Sequence, residues 1–129
     1  MVCGSLKITR DEAEAFFAHP SQRKGAQPDQ PLPEWIYYAQ GPVCFGFHWM
    51  PWPGVLSAHL GVKPEAWGKA TEAARAVLLE AWQAEKPTRI IAWNLESNRA
   101  IQAFCKRIGA KLDGRLELPE PVMMYGWRP

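Results

Sequence analysis

One stretch of the sequence combines a titratable imidazole with the pattern of a backbone anion site. His59 lies near the end of an apolar run, and Gly68 and Lys69 follow it, just before an alanine-rich segment. An imidazole titrates near neutral pH, so His59 is a candidate for proton transfer. A strand, a glycine turn and a helix, in that order, direct amide N–H groups and the positive end of the helix dipole toward an anion. The stretch therefore predicts an anion site beside a candidate base.

His59 also has a structural interpretation. A partly buried imidazole could simply form a hydrogen bond with Ser57 or with a neighbouring strand. Most histidines outside known motifs are structural, and only proximity to a substrate would indicate catalysis. Both interpretations stay open at the level of sequence.

Composition argues against several classes of function. The chain has 129 residues, 47% of them hydrophobic, and a net charge of +2. This length predicts a single domain over residues 1–129. The basic residues are scattered, which argues against nucleic acid as a partner. No apolar run approaches the ~18 residues of a membrane span, and the first residues lack the layout of a signal peptide. We therefore expect a cytoplasmic protein with no membrane partner.

The spacing of cysteines and histidines argues against a metal site. The three cysteines are far apart in the sequence and form no Cys-x-x-Cys motif, and the three histidines do not complete a zinc-ligand pattern. Structural zinc normally requires closely spaced ligand pairs. We expect free thiols and no metal ion.

The N-terminal part predicts a short strand at residues 5–8 and then a helix. Thr9 stands at the N-cap, and Glu12 three residues later completes a capping box. Pro20 ends this helix. Residues 20–34 contain four prolines and few apolar side chains, so they form a loop, either functional or a slack connector.

The middle of the chain predicts three antiparallel strands at residues 35–40, 43–49 and 55–62. Gly41-Pro42 favours a hairpin, and apolar residues alternate with others along the second strand. On the third strand, His59 faces away from the leucines. An amphipathic helix then begins near Lys69 and ends at Pro87.

The C-terminal part predicts one more strand–helix unit and a final strand pair. Residues 89–93 form a short apolar strand, which the handedness of βαβ units makes parallel to the strand at 55–62. Ser97 or Asn98 caps the next helix, and Gly109 occupies the position that follows a helix end. Two strands in the tail flank residues 117–121. The predicted order is β-α-loop-β-β-β-α-β-α-β-β.

The predicted order of elements resembles that of the GCN5-related N-acetyltransferase (GNAT) superfamily over nearly the whole chain, and three sequence features carry the resemblance most strongly. They are Gly46 in the second strand of the meander, the segment 59–69, and the segment 98–109 with its leading asparagine. Short phage-encoded members look especially similar. The resemblance implies an α/β (α+β) fold with a mixed, mostly antiparallel central sheet, one parallel and splayed strand pair, and flanking helices.

The resemblance also implies a co-substrate and its site. In the family, acetyl-CoA lays its pantetheine arm along the third meander strand and its pyrophosphate on the turn that follows. A backbone N–H near Leu60 would hold the developing oxyanion. Arg99, Lys106 and Arg107 could meet the 3′-phosphate or form a solvated helix face. The implied cofactor-binding residues are Leu60, Gly61, Val62, Trp67, Gly68, Lys69, Ala70 and Asn98.

The turn departs from the family pattern at three positions, Trp67, Ala70 and Glu72. The family usually has a basic residue where this chain has Trp67, a glycine where it has Ala70, and a small residue where it has Glu72. The Ala70 methyl narrows the approach of a phosphate, and the Glu72 carboxylate would repel it, although Lys69 restores one positive charge. We therefore expect weakened CoA binding.

The general acid of the family is a tyrosine on the last helix, and Cys105 occupies that position. A thiol can donate a proton to a leaving thiolate, but cysteine is more often a small core residue there. Tyr125 or Tyr38 could substitute. The catalytic residues implied are thus His59 as base and Cys105 as acid.

Two functions follow from these observations. The first is transfer of an acetyl group from acetyl-CoA to an amine of a small molecule or peptide. The second is a catalytically degenerate binding or structural protein, phage- or prophage-encoded. Trp49 and Trp52 could line an acceptor pocket, pack the hairpin end or form a homodimer surface. The enzyme interpretation requires that the parallel strands splay apart beside His59 and that Trp67 and Trp93 leave the slot open.

Overall fold

The computed structural model describes residues 6–18 and 31–129, which contribute to one seven-stranded sheet. The strand order across the sheet is β1-β2-β3-β4-β5-β7-β6. Every pair is antiparallel except β4 and β5, which are parallel. The strands are β1 Lys7–Ile8, β2 Ile36–Gln40, β3 Val43–Trp49, β4 Val55–Val62, β5 Arg89–Leu95, β6 Lys111–Leu116 and β7 Val122–Trp127.

The first helix, α1, spans Arg10–Ala13 and continues as a 3-10 helix over Glu14–Phe17. The predicted capping box is present. Thr9 Oγ1 accepts a hydrogen bond from the Glu12 amide at 3.1 Å, and the Thr9 amide donates to Glu12 Oε1 at 3.0 Å. The bond from the Thr9 amide lowers the pKa of the Glu12 carboxyl. The predicted helix end at Pro20 and most of the 20–34 loop lie outside the described residues.

The meander of β2, β3 and β4 has the predicted alternation of faces. Leu56, Ala58 and Val62 pack against the buried stripe of the helix after β4. The opposite face carries His59 and a smaller cluster formed with α1: Ala13, Phe17, Leu32, Tyr37 and Cys44. The meander therefore separates two apolar layers, and His59 lies on the α1 side.

The second helix, α2, spans Thr71–Glu85. The prediction that the helix begins near Lys69 is wrong by two residues, and Pro64–Ala66 form a separate 3-10 turn. Gly68, whose φ is +87°, separates this turn from α2, and Ala70, with φ −109° and ψ 2°, is the non-helical N-cap, so the helix begins at the next residue. On α2, Ala74, Val77, Leu78 and Ala81 are buried, as the periodicity predicted.

The third helix, α3, spans Arg99–Arg107. Of the two capping candidates, Asn98 is the cap, because its Oδ1 accepts from the Ile101 amide at 3.2 Å. Gly109 has a φ of +91° just after the helix end, as predicted. A hydrogen bond links β7 to the end of this helix: the indole Nε1 of Trp127 donates to the Ile108 carbonyl at 2.9 Å.

The predicted fold class is confirmed: a mostly antiparallel mixed sheet contains one parallel pair and carries helices on its faces. Within the ranges described, no helix is long and apolar enough to cross a bilayer. Cys44 and Cys105 are buried free thiols. Cys3 lies outside the described residues. Among the residues described, no group of three or more His, Cys, Asp or Glu is placed to hold a metal ion.

Candidate functional site

The parallel strands β4 and β5 pair at one end only. Val55, Leu56 and Ser57 face Arg89, Ile90 and Ile91, and the pairing stops there. Beyond this point the strands splay apart, as the resemblance to the GNAT superfamily implied. A cavity of about 440 Å³ lies between the two strands. It is lined by residues of β4, β5, α3 and the turn before α2. The site residues from the sequence that line it are His59, Leu60, Val62, Trp67, Gly68, Ala70, Asn98 and Cys105.

The backbone of β4 presents polar groups to this cavity. The Lys63 amide donates to Pro42 and the Val55 carbonyl accepts from Met50, so odd-numbered residues direct their backbone groups toward β3. Successive residues of a strand point these groups to opposite edges. Ala58, Leu60 and Val62 therefore direct theirs toward the splayed edge. This edge can pair with an extended ligand as with another strand.

His59 lies at the edge of this cavity and contacts a second histidine. His48 on β3 and His59 on β4 are diagonal neighbours across the strand pair, and their Nε2 atoms lie 3.0 Å apart. Trp35 stacks on both imidazoles, with ring centroids 4.9 Å from His48 and 4.3 Å from His59. Of the two hydrogen-bond partners that the sequence suggested for His59, the neighbouring strand supplies one, His48. Ser57 lies directly opposite His48 on β4.

The turn between β4 and α2 offers fewer amides to a phosphate than the sequence suggested. The Trp67 amide already donates to Pro64, and the Lys69 amide donates to Ala66. Ala70 is the N-cap of α2 and makes no side-chain hydrogen bond to the helix. The first-turn amides of α2 and the positive end of its dipole therefore remain the main anion-binding elements.

Trp67 interacts with the splayed edge itself. Its indole Nε1 donates to the Val62 carbonyl at 3.0 Å, although half of its surface is exposed. Val62 is one of the residues whose backbone faces the slot. Trp67 and Trp93 line the cavity, but about 440 Å³ stays open between its walls. Trp67 thus engages one backbone acceptor without closing the slot.

Cys105 lies in the cavity wall on α3, where Asn94 donates to its Sγ at 3.5 Å. Burial raises the pKa of the Cys105 thiol to about 11. A simple thiol titrates near ~8.5, so proton transfer from Cys105 to a leaving thiolate is uphill. Burial and the nearby Cys105 also raise the pKa of Tyr125. The geometry supports Cys105 as a packing residue better than as a general acid.

Other candidates from the sequence lie away from the cavity. The Tyr38 hydroxyl donates to Glu85 on α2 at 2.6 Å, and Tyr38 does not line the cavity. Trp49 and Trp52 are 46% and 54% exposed and contribute nothing to the cavity wall. Gly61 and Lys69 do not line the cavity either. Of the three basic residues of α3, Arg107 lines the cavity, whereas Arg99 lines a separate surface pocket with Glu96 and Glu120.

Gly61 has a packing role instead. A Cβ atom at this position would lie 2.8–2.9 Å from three atoms of the Phe17 ring, which is closer than such contacts allow. Gly46 has the same relation to Trp35 and Tyr37, whose rings would lie 2.9 and 2.8 Å from its Cβ. The two glycines leave the space that these aromatic rings occupy on the face of the sheet that carries His59.

A comparison of the sequence with protein families settles the affiliation. The profile described as acetyltransferase (GNAT) domain matches residues 4–111. The chain belongs to the GNAT acetyltransferase family. A comparison with curated proteins gives no match.

Solved GNAT structures share the fold at low sequence identity. The ribosomal-protein-S5-alanine acetyltransferase of Vibrio fischeri superposes with a TM-score of 0.64 at 13% identity, covering 95% of this chain and 93% of that one. A GNAT-family acetyltransferase from Bacillus anthracis gives 0.58 at 21% identity, covering 66% of this chain and 57% of the other. A spermidine N-acetyltransferase chimera from Vibrio cholerae gives 0.58 at 12%, covering 70% and 64%. The chain thus spans less than two thirds of the Bacillus and Vibrio cholerae proteins.

Sequence reasoning missed His48 and Trp35 as members of the site. The alternation along β3 places His48 on the same face as Gly46, and the hairpin at Gly41-Pro42 sets which residues of β2 lie opposite. A register drawn from these two signals would have brought Trp35 and His48 to one face. The β3–β4 register, which places His59 beside them, follows from no short turn signal in the sequence.

Proposed function

We propose that the protein transfers an acetyl group from acetyl-CoA to a primary amine. The observation that carries this proposal is the splayed edge of β4, which opens a cavity between the N-terminus of α2 and His59. Acetyl-CoA would supply the activated thioester carbonyl. Leu60 and its even-numbered neighbours on β4 would hold an extended ligand by backbone hydrogen bonds, and the first turn of α2 would hold its phosphates.

Each step of the proposed acetyl transfer is assigned to a group of the chain or to the solvent. His59 accepts a proton from the acceptor amine, which must be neutral to attack. The Leu60 N–H stabilises negative charge on the carbonyl oxygen. The proton for the leaving thiolate comes from the solvent or from the protonated imidazole, since Cys105 holds its own proton too tightly.

The alternative function is a GNAT-fold protein that binds without catalysis, in a phage or prophage setting. The Trp67–Val62 bond and the two internally bonded amides of the turn favour it, because both reduce the polar groups available to CoA. The open cavity and the paired histidines favour the enzyme. Absence of acetyl-CoA binding would exclude the enzyme, which requires this co-substrate, and acetylation of an amine would exclude the alternative.

Calorimetric titration with acetyl-CoA tests the proposal directly. We expect saturable binding below millimolar ligand. Incubation with acetyl-CoA and either spermidine or a peptide with N-terminal alanine, followed by mass spectrometry, should then show an added acetyl group on one of these probes. The probes follow from the structural relatives named above. No heat of binding at millimolar acetyl-CoA would refute the proposal.

Trp67→Phe should tighten the binding of acetyl-CoA. The phenyl ring keeps an aromatic wall but removes the indole N–H, so the Val62 carbonyl no longer accepts a hydrogen bond from Trp67. One neutral hydrogen bond contributes about 0.5–1.5 kcal/mol, which predicts a decrease in Kd of roughly 2- to 10-fold. Trp52→Phe, which changes an exposed tryptophan outside the cavity, is the matched control and should leave the Kd unchanged. A weaker Kd for Trp67→Phe would instead show that the indole contributes to the binding surface.

A further inference from the structure

We propose that His48 and His59 act as one proton-accepting unit beneath Trp35, with His48 as the positioning residue. This inference rests on the proposed function and extends it, because it assigns the base to a pair of imidazoles rather than to His59 alone. Only His59 of the two lines the cavity.

The first argument is the number of protons that the pair can hold. The two Nε2 atoms lie 3.0 Å apart, so one of them must carry a hydrogen and the other must accept it. The neutral pair holds two protons, one of them between the Nε2 atoms. A third proton gives a singly charged pair that keeps this hydrogen bond. A fourth would place N–H groups of two cations face to face, where they repel each other and the hydrogen bond is lost.

The second argument is the tryptophan over the pair. The Trp35 ring lies at 19° to the His59 ring and 24° to the His48 ring, so its face covers both imidazoles. The face of an indole attracts a cation. Trp35 therefore favours the protonated pair wherever the charge lies, and it holds both rings in the plane that their hydrogen bond requires. Gly46, directly opposite His59, leaves the space for this ring.

Several polar groups near the pair, among the residues that the structure describes, are buried or have hydrogen-bond partners of their own. On the same sheet face, the Tyr37 hydroxyl donates to the Pro33 carbonyl, and burial raises the pKa of the Cys44 thiol to about 12. On the helical segment above, Glu14 accepts a hydrogen bond from the Leu32 amide. On β5, the residues that line the cavity are Ala92, Trp93 and Asn94, none of which is ionisable. In the proposed reaction the proton leaves the amine for His59, and the Nε2–H···Nε2 bond passes part of the charge to His48.

The test compares His48→Leu with His48→Gln. Leucine removes the partner of His59, whereas the side-chain amide of glutamine can still accept its hydrogen bond. With acetyl-CoA and whichever probe amine the wild type acetylates, we expect His48→Leu to lower kcat/KM about 10-fold and to move the acid limb of the pH profile down by about one pH unit. The KM for acetyl-CoA should stay unchanged, and His48→Gln should recover most of the loss.

A second readout does not depend on activity. The imidazole Hε1 signals in an NMR pH titration should show two coupled steps in the wild type and a single step for His59 in His48→Leu. Absence of acetyl-CoA binding and turnover in the wild type would overturn the proposed function. If the wild type turns over, an unchanged pH profile in His48→Leu, or identical His59 titrations in both proteins, would overturn the inference.

Discussion

Replacing His59 by glutamine should lower kcat/KM for amine acetylation by at least about 100-fold, because general base catalysis typically contributes a factor of 10²–10⁴. Glutamine fills nearly the same volume, and its amide can still donate to His48 across the 3.0 Å contact. It cannot take up a proton near neutral pH. The variant therefore removes the base while it preserves the packing beneath Trp35.

The control for this variant is the binding of acetyl-CoA. The backbone of β4 supports the cavity whatever the side chain at position 59, so the calorimetric Kd should stay within about two-fold of the wild type, since a surface or edge substitution of similar volume costs little. A loss of kcat/KM with preserved binding indicates a role in the chemical step. A loss of less than about three-fold, well below the usual contribution of a base, would assign His59 a structural role.

Replacing Gly61 by alanine should destabilise the fold by about 1–3 kcal/mol, the usual cost of overfilling a packed core. The added methyl would lie 2.8–2.9 Å from the Phe17 ring, and Phe17 is only 2% exposed. This ring also packs edge to face on Tyr37, with centroids 6.2 Å apart, which restricts its displacement. Chemical denaturation measures the effect as a lower midpoint.

Gly114→Ala is the matched control for this prediction, because a Cβ atom there would meet nothing within 4 Å. Its free energy of unfolding should equal that of the wild type or exceed it slightly. Phe17→Leu should reduce the cost of Gly61→Ala, which a double-mutant cycle would detect as a favourable coupling energy.

The resemblance to the family implied a cofactor-binding role for Gly61. Normal stability of Gly61→Ala combined with weaker acetyl-CoA binding would support that role over packing.

The sequence by itself determined the elements of this protein and their order. The reason is that the signals involved are local. Thr9 and Glu12 are close enough in the chain to form a capping box alone, and Gly109 ends α3 because its left-handed backbone suits that position. The alternation along β3 and the helical period of α2 reflect which faces are buried. These signals also predicted that β4 and β5 would be parallel, since a helix connects them, whereas the splaying of the pair was implied by the resemblance to the GNAT superfamily.

Only the tertiary structure decided which side chains meet in the site. The bond between His48 and His59 depends on the register of β3 against β4, and one residue of slippage would place them on opposite faces. The contact of Trp67 with Val62 depends on how the turn folds back over the strand. Burial likewise set the high pKa of Cys105, which depends on the packing of α3 against the sheet rather than on its neighbours in sequence. Contacts between residues that are distant in the chain carry no local signal, so the fold could be read from the sequence and the pairing of its histidines could not.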